Sequence, residues 1–136
     1  MGEREYERGV LSMEPHPQES WLLRYTFRGY LELAAARQIV AWRADAFADH
    51  PVIEEFHDWW DMTGYDSLSR RLLTDHTLAH RARLARVHLL FRSQLVRMGV
   101  AAASIPLGRL LVSHASPERF AERLEASLAR GAPAES

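Results

Sequence analysis

Apolar and polar residues alternate most cleanly in WLLRYTFRG (21–29), with Trp21, Leu23, Tyr25 and Phe27 on one side and Arg24, Thr26 and Arg28 on the other. A period of two is that of a half-buried β-strand, and Gly29 is expected to close it. Ahead of it, VLSM (10–13) reads as a short strand cut off by Pro15 and Pro17. Residues 32–48 change to a helical period, with Leu33, Ala36, Val40, Ala44 and Phe47 on one stripe and Trp42 opposite. His50-Pro51 ends that helix, because the residue before a proline is pushed out of the helical region. VIEEF (52–56) has strand character, although Glu54 and Glu55 are poor residues for a central strand.

The stretch DWWDMTGYDS (58–67) shows neither period and is expected to be a loop leading into a helix. Asp66 is placed to cap that helix, on which Leu68, Leu72, Leu73, His76 and Ala79 share a broad face. VHLLF (87–91) is a further strand. Ser93 then caps a small-residue helix, LVRMGVAAASI, in which Leu95, Gly99 and Ala102 line up. A mid-helix glycine costs about 1 kcal/mol, so Gly99 points to a close backbone approach. Pro106 and Gly108 stop this helix, and RLLVSH (109–114) is the last strand. Ser116-Pro117 is a strong helix start, and Phe120, Leu124 and Leu128 form the stripe that follows.

The order is therefore β-β-α-β-α-β-α-β-α. Helices between successive strands imply right-handed crossovers, hence a single α/β domain with a mixed, mostly parallel sheet. Its expected bounds are 10–130, with a flexible segment at 1–9 and a flexible tail at 131–136. The 136 residues, 47% hydrophobic and 26% charged, suit one globular core. With no cysteine, disulfides, zinc–thiolate sites and cysteine nucleophiles are excluded, and a cytoplasmic setting is expected. No stretch is apolar for long enough to span a bilayer.

All 17 basic residues are arginine, a side chain suited to phosphate, but the net charge of −1 argues against nucleic acid as a partner. The charge is unevenly spread. From Asp45 to Asp75, eight acids face only Arg70 and Arg71; from His76 to Pro117 there are six arginines and no acid. Two such blocks either pair within the fold, lie on solvated surfaces, or steer a charged partner or a second copy of the chain.

Candidate chemistry is sparse. HTLAH places His76 and His80 one helical turn apart, a spacing that can bind a metal, but the glutamate of the metalloprotease motif is missing. Partly buried, hydrogen-bonded histidines are the better reading, with His57 the one candidate for a third ligand; no metal and no cofactor are expected. Ser67, His57 and Asp61 supply the residue types of a hydrolase without a nucleophile elbow, so no enzyme is expected. Trp59 and Trp60 are adjacent, and adjacent residues of an extended chain point to opposite sides. One exposed indole among Asp58 and Asp61 has the profile of an interface anchor.

RYTFRGYLELAAARQI, VHLLFRSQLVRMGV and LLVSHASPERFAERL, in this order of elements, resemble the STAS domain of bacterial anti-sigma-factor antagonists and their SpoIIAA-like relatives. DMTG (61–64) is similar to that family's Asp-Ser-Ser/Thr-Gly loop, in which a kinase phosphorylates the first serine and so releases a partner. Met62 stands at that position here, and a thioether cannot be phosphorylated; Thr63 and Ser67 are the remaining acceptors nearby. The resemblance implies a non-catalytic protein-interaction module in bacterial signalling, docking a regulatory protein, kinase or anti-sigma-like partner. The expected partner surface is Asp58, Trp59, Trp60, Asp61, Thr63, Tyr65 and Asp66. The alternatives are an assembly protein that forms homo-oligomers through its acidic and basic blocks, or a variant that binds a small ligand or lipid.

Overall fold

The computed structural model describes residues 1–134. Its six strands, β1 (Gly2–Glu5), β2 (Gly9–Pro15), β3 (Leu22–Leu31), β4 (Ile53–Tyr65), β5 (Leu84–Phe91) and β6 (Leu111–His114), lie side by side in chain order. β1, β2 and β3 are antiparallel, and β3 through β6 are parallel. Helices α1 (Leu33–Asp49), α2 (Ser67–Ala79) and α3 (Gln94–Leu107) make the three parallel crossovers, and α4 (Pro117–Arg130) follows β6. Because every crossover steps in the same direction and shares the right-handed sense, α1, α2 and α3 are carried to one face of the sheet. α4 crosses to the other, where Phe120, Leu124 and Leu128 pack on Trp21, Leu22 and Phe56.

The expected α/β architecture is thus present, with one strand more. β1 lies within the segment 1–9 that was expected to be flexible; all four of its residues are exposed, so no apolar alternation marks it. It pairs with β2 from Gly2 opposite Met13 to Glu5 opposite Val10. Of the expected flexible tail, residues 131–134 carry no helix or strand, and residues 135 and 136 lie outside the described residues. β3 does not end at Gly29 but continues to Leu31. Gly29 adopts φ 97°, and a Cβ there would meet the Arg8 carbonyl, so glycine serves a close strand approach rather than a stop.

The larger correction concerns residues 58–67. They are not a loop: Asp58 to Tyr65 form the second half of β4, the strand between β3 and β5. Thr26 pairs with Asp58 but Arg28 with Asp61, and Gly29 pairs with Met62 but Tyr30 with Gly64. Each shift inserts one extra residue on β4, a pair of β-bulges that spoil the period of two. Pairing with β5 ends at Trp59 opposite Phe91, so Trp60 to Tyr65 are held by β3 alone. Arg92 closes the free edge by donating from Nε to the Trp60 carbonyl (3.0 Å).

The helix caps are as expected. Asp66 accepts from the Ser69 N–H (2.7 Å), Ser93 from Val96 and Ser116 from Arg119. The buried faces differ. α1 buries Ala35, Ala36, Ile39, Trp42 and Arg43, so Trp42 faces the core and Ala44 faces solvent. α2 buries Ser69 and Thr77, and α3 buries Val96, Gly99, Val100 and Ala103. Leu68 and Leu95, expected inside, are each 60% exposed. In each of these first turns the next residue is the buried one, Ser69 and Val96, so the inward face is turned by one position from the expected stripe. α3 also runs on through Pro106 to Leu107, with Gly108 as its C-cap. Among the described residues no helix is long and apolar enough to cross a membrane.

Candidate functional site: a cavity over a buried ionic network

β4 carries Ile53, Glu55, His57 and Trp59 toward the three-helix face, and Glu54 and Phe56 toward α4. Two adjacent glutamates in a central strand therefore enter opposite layers, and each needs its own partners.

Glu55 is fully buried, as is Arg43 at 1% exposure. The Arg43 guanidinium grips the carboxylate with two hydrogen bonds, Nε to Oε2 (2.9 Å) and Nη2 to Oε1 (2.6 Å). Tyr25 donates its hydroxyl to Oε2 (3.2 Å), and His57 Nε2 lies 3.0 Å from Oε1. The remaining Arg43 nitrogen, Nη1, lies 3.0 Å from both His76 Nδ1 and the Thr77 hydroxyl. One ion pair thus joins β3, β4, α1 and α2. Burial alone would raise the Glu55 carboxyl; Arg43 and the bond from His57 outweigh it and hold the carboxyl well below its ordinary range. His57 is pushed down by burial and by Arg43, against the pull of Glu55. His76 falls to about 4 through burial, the Arg43 charge and its neighbour His80. On the opposite face Glu54 bonds His88 Nε2 (2.7 Å) and the Ser127 hydroxyl (2.9 Å), and His88 Nδ1 meets His114 Nε2 (3.1 Å).

Beside the Arg43–Glu55 pair lies a cavity of about 70 Å³ that opens to solvent on one side. Its floor is His57, Trp59 and Met62 of β4 with Val87 and Leu89 of β5; its roof is α2 and α3. The lining is almost entirely apolar. Beneath that lining, His57 Nδ1 and Trp59 Nε1 are buried and have no hydrogen-bond partner among the described residues. The rings are neighbours, 5.5 Å apart and edge to face, and His57 stacks flat on Tyr25 at 4.2 Å. Arg70 of α2 also lines the cavity and is half-buried.

The expected partner surface is split by this geometry. Trp59 and Tyr65 turn inward and line the cavity, with the Tyr65 ring lying against Gly99. Asp66 is occupied as the cap of α2. Asp58 is half-buried and accepts from the Trp60 N–H. Trp60 lies half-buried under the Arg92 guanidinium, Asp61 is paired with Arg92 (2.7 Å), and Thr63 and Ser67 are exposed. So one indole is sealed in and the other turned out, as adjacent extended residues require. The acidic and basic blocks meet on the surface at Asp61–Arg92, while Glu54 and Glu55 are internal. His76 and His80 stack at 4.1 Å, His80 Nδ1 bonds the His76 carbonyl, and His57 belongs to the Glu55 network. Among the described residues no three His, Asp or Glu side chains converge to hold a metal ion.

The residues that sequence reasoning missed are Arg43, Glu55 and Tyr25. Their signal was the alternation Ile53-Glu55-His57-Trp59, which demands a buried cation somewhere in the chain.

No family model matches the chain, and no curated protein is found to be similar to it. Among solved structures it is similar to the crystal structure of an uncharacterized protein from Shewanella loihica, of the DUF3478 family and with a SpoIIAA-like fold. That likeness has a TM-score of 0.63 at 15% identity and covers 89% of this chain and 97% of the other. The chain has the SpoIIAA-like fold.

Proposed function

We propose that this SpoIIAA-like protein is a non-catalytic binding module that holds a small, mainly apolar molecule between its sheet and helices α2 and α3. The observation that carries the reading is the cavity itself, an apolar space with a few polar side chains, Arg70 and Thr74 among them, in its wall, which is the usual composition of a ligand site. No hydroxyl in its wall is bonded to His57, which favours binding over nucleophilic chemistry. Native mass spectrometry of protein purified from its own host tests this: a co-purified molecule of constant mass is expected, lost in Ala103→Phe. Identical spectra of bare protein for both forms, before and after incubation with small apolar compounds, would contradict it.

A second reading, docking of a regulatory protein, is favoured by the exposed apolar side chains near the starts of α2 and α3. Leu68, Leu95 and Met98 are exposed there, close in the chain to Trp60 and Thr63 or to Arg92. Leu95→Glu with Met98→Glu would then abolish recovery of a protein partner that wild type retains.

A further inference from the structure

We infer that a groove between β5 and α4, on the face of the sheet away from the cavity, is a second binding site for a small molecule carrying phosphate or diphosphate groups. It stands apart from the cavity reading and does not depend on it. The groove measures about 290 Å³ and opens to solvent, with Arg86, Arg123, Arg130 and Glu54 in its wall. Arg123, Ser127 and Arg130 recur at helical spacing and so share one flank of α4. Ser127 fixes where that flank looks, because its buried hydroxyl donates to Glu54 of β4 (2.9 Å). Arg86 precedes His88 by two residues on β5 and leaves the sheet on the same side, and His88 meets the same Glu54 (2.7 Å). Strand and helix therefore bring three guanidinium side chains around one space. The electrostatics agree. Burial would raise the Glu54 carboxyl, but its bonds from His88 and Ser127 and the Arg130 charge bring it down. Burial lowers His88, and the Arg123 and Arg86 charges lower it further against the pull of Glu54.

Among the described residues none of the three arginines forms an ion pair. Arg86 Nη1 donates to the Ala85 carbonyl (2.7 Å) and Arg130 Nη2 to the Ser127 hydroxyl (3.3 Å), bonds that neutralise no charge. Arg86 and Arg130 are exposed and Arg123 is half-buried, so a solute can reach them. Glu54 is the single acid of the wall and is already engaged by His88 and Ser127. Three cations against one occupied carboxylate attract an anion, and planar guanidinium forks match phosphate oxygens. Arg123 and Arg130 stand about 10 Å apart along the helix axis, which favours an anion with several oxygens to share over a lone carboxylate.

The test is to titrate inorganic phosphate, pyrophosphate and acetate into the full chain at pH 7 and constant ionic strength, following the His88 and His114 ring signals by NMR. Pyrophosphate is expected to bind most tightly, phosphate less so, and acetate not measurably. Both histidine signals should move to saturation and their titration midpoints rise, since a nearby anion favours the imidazolium. Arg123→Gln is expected to weaken pyrophosphate binding about ten-fold, the loss of one charged hydrogen bond. Arg86→Gln, at an exposed position that holds no buried contact, should weaken it likewise, whereas Arg71→Gln on the outer side of α2 leaves it unchanged. Acetate binding as tightly as pyrophosphate overturns the phosphate class. Shifts no larger than those given by chloride at equal ionic strength, or an equal loss in Arg71→Gln, overturn the site itself.

Discussion

At the scale of single residues, the fold turns on a pair that a hydrophobic core should resist. Arg43 and Glu55 are sealed inside, and each is tolerable only because the other is there. Removing one leaves an uncompensated charge, so Arg43→Met is expected to cost about 3–5 kcal/mol in denaturant unfolding. Replacing both at once, as Arg43→Met with Glu55→Leu, is expected to cost clearly less. A double variant as damaged as the single one would show that the pair is not the unit of stability. Acid should act on both layers of the sheet. His57, His76, His88 and His114 all lie below the ordinary histidine range, first of all through burial, with His76 and His114 at about 4. Between that value and the ordinary 6.5 the unfolded chain binds more protons than the folded one, so stability rises with pH. It is present above about pH 6.5 and lost as pH falls toward 4. The melting temperature is therefore expected to drop between pH 7 and pH 5, and less steeply in His114→Gln; a flat profile would count against buried neutral histidines.

At the scale of elements, what was legible depended on whether one side of an element met solvent. β3 alternates because its two faces differ in burial, and α4 shows its stripe because its outer face is wet. The caps Asp66, Ser93 and Ser116 were readable because capping is local chemistry. β4 was not, because its bulges displace the period and its inward residues include Glu55 and His57. The face of α1 was misjudged for a related reason: Arg43 is drawn inward by Glu55, a partner twelve residues away that no local pattern announces. Gly99 is the opposite case, since a mid-helix glycine signalled a close approach and the Tyr65 ring provides it. A Cβ at Gly99 would fall 2.5 Å from Tyr65 Cζ and Oη. Gly99→Ala is therefore expected to destabilise the protein by about 1–3 kcal/mol through overpacking, despite alanine's better helix propensity. A gain in melting temperature would mean that Tyr65 swings aside at little cost.

At the scale of the whole molecule, one sheet separates two unlike layers. Three helices cover one face and enclose the cavity; α4 alone guards the other and rests on Phe56 and the Glu54–His88 pair. The order of elements conveyed the fold from the sequence, because connectivity and handedness leave few arrangements open. It could not convey the cavity, which arises where side chains from β4, β5, α2 and α3 fail to meet, a property of packing rather than of pattern. The most direct test of the account is to titrate phenol into the protein while following methyl NMR signals on both faces. The account predicts saturable shifts at Leu89, Val96 and Val100 around the cavity, none at Leu22 and Leu124 beneath α4, and their loss in Ala103→Phe. Shifts centred under α4, or none on either face, would contradict it.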